Sequence, residues 1–166
     1  PGDPGVLAAM LMNRVTLQPG DAIFLDAGNL HAYLHGAGIE IMANSDNVLR
    51  GGLTSKHVDV NELAAVLDFN PIPGDTIAPE PVSDGVVRYP TPAPEFALWR
   101  LTPSGSPVEV PETNAGRALI VVDGSVTLSS DGSDLLVEHG QAAFLEAGTA
   151  ASVTGAGTAF LAGPGL

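Results

Sequence analysis

A nine-residue segment occurs twice in this chain. Gly20-Asp21-Ala22-Ile23-Phe24-Leu25-Asp26-Ala27-Gly28 and Gly140-Gln141-Ala142-Ala143-Phe144-Leu145-Glu146-Ala147-Gly148 share the pattern G-x-A-x-F-L-[DE]-A-G. Gly36-Ala37-Gly38 then recurs as Gly155-Ala156-Gly157, with one residue fewer in the intervening turn. A repeat of this kind implies two copies of one structural unit. The unit is a β unit, because glycine turns bracket short apolar runs.

Composition agrees. The 20 Gly and 14 Pro of 166 residues are about a fifth of the chain, against roughly 12% in average usage. Turn residues scattered through apolar runs of four to six predict an all-β fold of many short strands. The predicted strands are Arg14–Gln18, Ala22–Leu25, Val86–Tyr89, Phe96–Leu101, Ala118–Val122, Ser125–Leu128, Leu135–Glu138 and Ala159–Ala162. In the first, Val15 and Leu17 share a face opposite polar groups. Trp99 and Phe96 are predicted core anchors.

Two segments predict helices. Asp3-Pro4 offers an N-cap and a proline at the first helical position. The run Val6 to Met12 is apolar on all sides, which predicts a buried helix ending near Asn13. A second helix starts at Asp59, with Glu62 three residues on and Leu63, Val66 and Leu67 as its stripe. Between Asn70 and Pro94 stand seven of the 14 prolines, which predicts an extended connector with one edge strand at Val86–Tyr89. The expected organisation is residues 1–70, a connector at 71–94, and a second unit at 95–166.

Charge and cysteine content exclude several functions. A net charge of -13 argues against a nucleic-acid partner, because phosphate neutralisation needs a basic surface. No apolar stretch is long enough for a membrane span. With no Cys, any metal must use His, carboxylate or amide ligands, and the chain is expected in the cytoplasm.

Comparing the two copies separates scaffold from site. His31 follows Gly28 by three residues, and its counterpart in the second copy is Ala150 or Ala151. Glu40 meets Ala159. The first copy therefore carries an imidazole and a carboxylate where the second carries methyl groups. The block from Gly38 to Lys56 has no counterpart and holds Glu40, Asn44, Ser45, Asp46, Asn47, Arg50, Thr54 and Lys56, the chain's single lysine. Arg50 offers a planar fork of donors and Lys56 a point charge, a pair suited to a phosphate ester.

Pro19 to Tyr33 resembles the second motif of cupin barrels. Gly38-Ile39-Glu40-Ile41-Met42-Ala43-Asn44-Ser45-Asp46-Asn47-Val48-Leu49-Arg50-Gly51-Gly52-Leu53-Thr54 resembles the signature of the type I phosphomannose isomerase family, and Asp59-Val60-Asn61-Glu62-Leu63 continues the likeness. The resemblance implies cupin-like jelly-roll barrels and interconversion of mannose 6-phosphate and fructose 6-phosphate with one zinc ion. It implies His31 as one zinc ligand, the others (a Gln, a His and a Glu) lying in the family's N-terminal half, which this chain lacks. That half is then the expected partner, and this piece alone is expected to be inactive and without tight zinc. Arg50 would steady the enediolate or the sugar phosphate, Lys56 would contact the phosphate, Glu40 would transfer a proton or orient the sugar, and Tyr33 would line the pocket.

Each residue has a plainer reading. His31 could cap a turn, Arg50 could pair with Asp46 at i, i+4, and Lys56 could be a solvated loop lysine. Asn44 to Asn47 read as a turn whose side chains bind their own backbone. His35, His57 and His139 read as surface residues. Two other functions stay open: another metal-dependent cupin enzyme, or a non-catalytic carbohydrate-binding or dimerisation module built from residues 95–166.

Overall fold

The structure, a computed structural model, describes residues 2–45, 47–70 and 76–165. The chain divides into two compact units: residues Pro1–Gly38 with Asn44–Thr76, and Ile39–Ala43 with Ile77–Leu166.

The first unit contains two short helices, α1 (Gly5–Leu11) and α2 (Val60–Val66), joined by irregular backbone. Asp59 caps α2: its carboxylate accepts from the Glu62 amide at 3.0 Å. Leu63 and Leu67 are half-buried and Val66 is exposed. The prediction that α1 is buried is overturned. Leu7, Met10 and Leu11 are 67%, 77% and 90% exposed, because no described element of this unit packs over the helix. The cap differs too: Pro4 occupies the N-cap position with no side-chain cap bond. The predicted strand Arg14–Gln18 does not form, and of Ala22–Leu25 only Ala22 is a bridge residue. Alternation alone makes no strand without a partner to receive its backbone hydrogen bonds.

The second unit is an antiparallel sheet of eight strands: β1 (Glu80–Ser83), β2 (Val86–Tyr89), β3 (Ala97–Leu101), β4 (Val108–Glu109), β5 (Arg117–Ser130), β6 (Ser133–Glu138), β7 (Ala142–Leu145) and β8 (Ser152–Gly163). The path is β1-β2-β3-β8-β5-β6, with β4 against β8 and β7 against β5. Val86, Trp99, Leu101, Val108, Leu119, Val121, Val126, Val137, Leu145, Val153 and Leu161 meet in one buried cluster. A single sheet whose inward side chains share one core must curve around it, as cupin-like sheets do. Trp99 is buried as predicted, and Phe96 is half-buried just before β3.

β5 joins the two strands predicted at Ala118–Val122 and Ser125–Leu128. Its pairing with β8 shifts register between Val121 and Asp123. The extra residue flips the alternation, so Leu119 and Val121 point inward before the bulge and Val126 and Leu128 after it. β2 matches the predicted strand Val86–Tyr89, but β1 gives it a second neighbour, so it is not an edge. Pro71 and Pro73 of the expected connector lie outside the described residues.

The repeat is visible in backbone geometry. Gly20 and Gly140 adopt φ of 95° and 79°, and Gly28 and Gly148 adopt 84° and 70°, values that side chains with a Cβ resist. The Asp21 amide donates to the Gln18 carbonyl at 2.9 Å, and Gln141 to Glu138 at 2.9 Å. The Asp21 carboxylate and the Gln141 amide oxygen each accept the return bond, at 2.8 and 2.9 Å. The Asn29 and Thr149 amides close the second turns onto Asp26 and Glu146, both at 3.3 Å.

Candidate functional site

Four of the five proposed site residues stand on the first unit. The Gly28 turn is pinned by the chain leaving α2: the Asp68 amide donates to the Gly28 carbonyl at 3.0 Å. The turn releases Asn29, Leu30 and His31. The His31 Nδ1 lies 3.1 Å from the Asn29 carbonyl oxygen. A carbonyl can only accept, so in the neutral ring the proton sits on Nδ1 and the Nε2 lone pair is available. Tautomer fixation through Nδ1–H and a backbone carbonyl is how metal-binding histidines are commonly oriented. Tyr33 meets the His31 ring edge-on, with centroids 6.0 Å apart and planes at 68°. Both side chains are exposed, Tyr33 by 76%.

The loop carrying Arg50 and Lys56 approaches the same segment. A methyl group on Gly51 would lie 2.6 Å from Leu30 Cδ1; the absent side chain is what lets the two segments touch. Arg50 and Lys56 are exposed, and the Lys56 amide donates to Thr54 Oγ1 at 3.1 Å. Asp46, the alternative partner of Arg50, lies outside the described residues; Asn44, Ser45 and Asn47 are exposed. Glu40 belongs to the other unit. There Ile39, Ile41 and Ala43 are half-buried and Glu40 and Met42 are exposed, so the period-two alternation is present and the carboxylate is on its outer side. His35, His57 and His139 are exposed, as predicted. In the second copy Ala150 and Ala151, the counterparts of His31, border a surface hollow with Glu109, Ser129, Ser130 and Asp131.

No family model matches the chain. Over 129 residues it is 40% identical to mannose-6-phosphate isomerase of Escherichia coli K12, covering 77% of this chain and 33% of that protein. The rat enzyme of the same name is 41% identical over 133 residues, 76% of this chain and 31% of that one. A crystal structure of the Salmonella typhimurium enzyme bound to fructose 6-phosphate and zinc superposes with a TM-score of 0.66. It is 32% identical and covers 75% of this chain and 32% of that one. The chain is homologous to part of mannose-6-phosphate isomerase. It spans about one third of the length of the curated relatives it matches.

Zinc in that neighbour raises the question of whether the described residues of this chain can hold the ion. Among the described residues no group of three or more His, Cys, Asp or Glu could do so. His31 presents one donor, and a zinc centre needs at least three protein ligands. The described residues therefore do not fit a complete zinc site.

Two residues do work that sequence reading did not assign. Asp3, read as a helix cap, accepts from the Gly5 amide at 2.7 Å and from the Leu53 amide, fifty residues away, at 2.9 Å. The short spacing to Gly5 was the only signal available. Arg117 is 1% exposed, and its guanidinium donates to the carbonyls of Pro111 at 2.6 Å, Glu146 at 3.4 Å and Thr149 at 2.5 Å. It thereby holds the second-copy turn that matches the His31 turn. Nothing in its sequence neighbourhood marks an arginine at the end of an apolar strand as a core residue.

Proposed function

We propose that this chain is one portion of a zinc-dependent aldose–ketose isomerase that interconverts mannose 6-phosphate and fructose 6-phosphate, and that it acts with the N-terminal half of the same enzyme. The observation that carries this reading is the approach of Leu30 to Gly51. It sets the imidazole segment beside the loop of Arg50 and Lys56, in a chain similar to isomerases of that name. The Salmonella structures also include a glutamate-to-alanine and an arginine-to-alanine variant whose positions lie ten residues apart. Glu40 and Arg50 have the same order and spacing.

The chemistry assigns the roles. A base removes the proton from C2 of the aldose as O1 takes up a proton, giving the enediol; a proton is then delivered to C1 as O2 gives up its own, so no atom is gained or lost. The step needs a proton carrier and a cation facing the developing oxyanion. Glu40 serves as the carrier or orients the sugar. Arg50 faces the enediolate with its fork of donors, Lys56 binds the phosphate as a point charge, and Tyr33 walls the pocket. Zinc, when bound in the whole enzyme, would polarise the carbonyl or orient the sugar; His31 would give it one donor, and the remaining donors would come from the N-terminal half. The exposure of α1 supports the same division, since a helix apolar on all sides calls for covering polypeptide. The expected compartment is the cytoplasm.

The test joins this chain to the upstream two thirds of the Escherichia coli enzyme. Isomerase activity and one equivalent of zinc in the joined protein, with neither in this chain alone, are expected. Turnover by this chain alone, or a joined protein that folds and binds zinc yet does not isomerise, overturns the reading.

A further inference from the structure

We infer that Asp3 is a positioning residue for Arg50, setting the guanidinium for the isomerisation through the backbone of the Gly51-Gly52-Leu53 loop. The inference rests on the role proposed above for Arg50. Both carboxylate oxygens of Asp3 are engaged: Oδ1 accepts from the Gly5 amide at 2.7 Å and Oδ2 from the Leu53 amide at 2.9 Å. The second bond closes a span of fifty residues and lands three positions from Arg50, at most about 10 Å of chain.

The loop at that point is held in a conformation it would not choose alone. Leu53 has φ of +53°, a left-handed value that a leucine keeps only where its surroundings dictate it. Gly52 has φ of +130°, and a methyl group there would lie 2.9 Å from both Gly5 Cα and Asp3 Oδ1. Backbone touches backbone, and the carboxylate bridges the two strands of chain. On the far side of Gly51 stands Leu30. The Arg50 loop is therefore fixed from two directions, by Asp3 through Leu53 and by the segment that carries His31.

A guanidinium that must meet a developing oxyanion loses rate steeply when displaced. Asp3→Asn keeps the shape and one acceptor but turns an amide donor toward an N–H, so one of the two bonds is lost. The variant is made in the joined enzyme described above, alone and with Arg50→Ala. The expected result is a kcat lowered about tenfold by Asp3→Asn with KM changed less than about twofold, and no further loss when Arg50 is already alanine. Gly52→Ala, which leaves Asp3 and Arg50 in place but pushes Gly5 and Gly52 apart, shows the same kcat loss and the same dependence on Arg50. It carries the test if Asp3→Asn does not fold. Equal losses in both backgrounds, or wild-type activity in the single variants, overturn the inference. An Arg50→Ala enzyme with undiminished kcat overturns the role of Arg50 itself, and is told apart by that single variant.

Discussion

Leu30 occupies the space that a side chain at Gly51 would need, with its Cδ1 only 2.6 Å from where a Cβ would stand. The contact joins the segment of the repeated unit that bears His31 to the block that the second copy lacks. A glycine at that point is a packing requirement, and it makes the local geometry open to a direct test.

Gly51→Ala forces Leu30 off its place. Overpacking of this kind costs about 1–3 kcal/mol. Amide exchange at Asp68, whose N–H donates to the Gly28 carbonyl at 3.0 Å, followed across a urea series should report that loss. Adding Leu30→Ala should recover much of it, because the clash is with the leucine side chain and not with backbone. Strictly additive losses would show that the two residues do not touch.

Arg117 gives a second prediction. Its guanidinium reaches three carbonyls, one at Pro111 and two in the Glu146–Thr149 turn, and its Nε has no partner in the structure. Arg117→Met removes the donors and leaves buried acceptors unsatisfied, each worth about 1–3 kcal/mol. A loss of about 3 kcal/mol or more is expected in the unfolding of the second unit. Faster amide exchange is expected at Gly148, whose N–H donates to the Thr113 carbonyl at 3.1 Å. An unchanged unfolding midpoint would show that the clamp is redundant.

The two units also separate the same substitution by environment. Leu161 is fully buried between β3 and β5, so Leu161→Ala should cost about 2–5 kcal/mol. Leu7 is two-thirds exposed on α1, so Leu7→Ala should change the stability of this chain by less than about 0.5 kcal/mol. In the joined enzyme the Leu7 variant should become costly, since the apolar helix is then covered. Thermal unfolding of this chain, its two variants, and the joined enzyme with and without Leu7→Ala decides it.

How much of this was legible in the sequence follows from where each residue finds its neighbours. β2, β3, β5, β6 and β8 could be read because their partners lie in the same stretch of chain and alternate inward and outward around one core, whereas β1, β4 and β7 were not predicted. The break predicted within β5 came from Asp123-Gly124, a turn signal by composition. Here that pair follows a bulge, with Gly124 at φ of 63° and no room for a Cβ, which would run into the Ala156 carbonyl of β8. Val15 and Leu17 alternate equally well and form no strand, since none of the described residues offers them an edge. The same reasoning applies to α1, whose apolarity was read correctly and whose burial was not. For the site, His31 stood out through the repeat, because a histidine in one copy and an alanine in the other is a contrast in chemistry. Asp3 did not, because its partner Leu53 is fifty residues away and no local pattern marks a carboxylate that binds a distant amide.

The last prediction concerns the metal. His31 offers Nε2 with its tautomer set by the Asn29 carbonyl, yet the described residues supply no second and third donor around it. A single imidazole holds zinc weakly, whereas three or four ligands hold it through purification. This chain, loaded with zinc and desalted, should retain no stoichiometric zinc by mass spectrometry, as one donor falls short of the three a site needs. Fused to the upstream part of a relative, it should retain one equivalent, and His31→Ala in the fusion should lower affinity by at least about tenfold. Asn29 contributes only its backbone, so Asn29→Ala should keep the metal while weakening the Asp26 turn that its Oδ1 supports at 3.1 Å. Full zinc retention in the His31→Ala fusion would remove His31 from the ligand set and leave it as a turn residue.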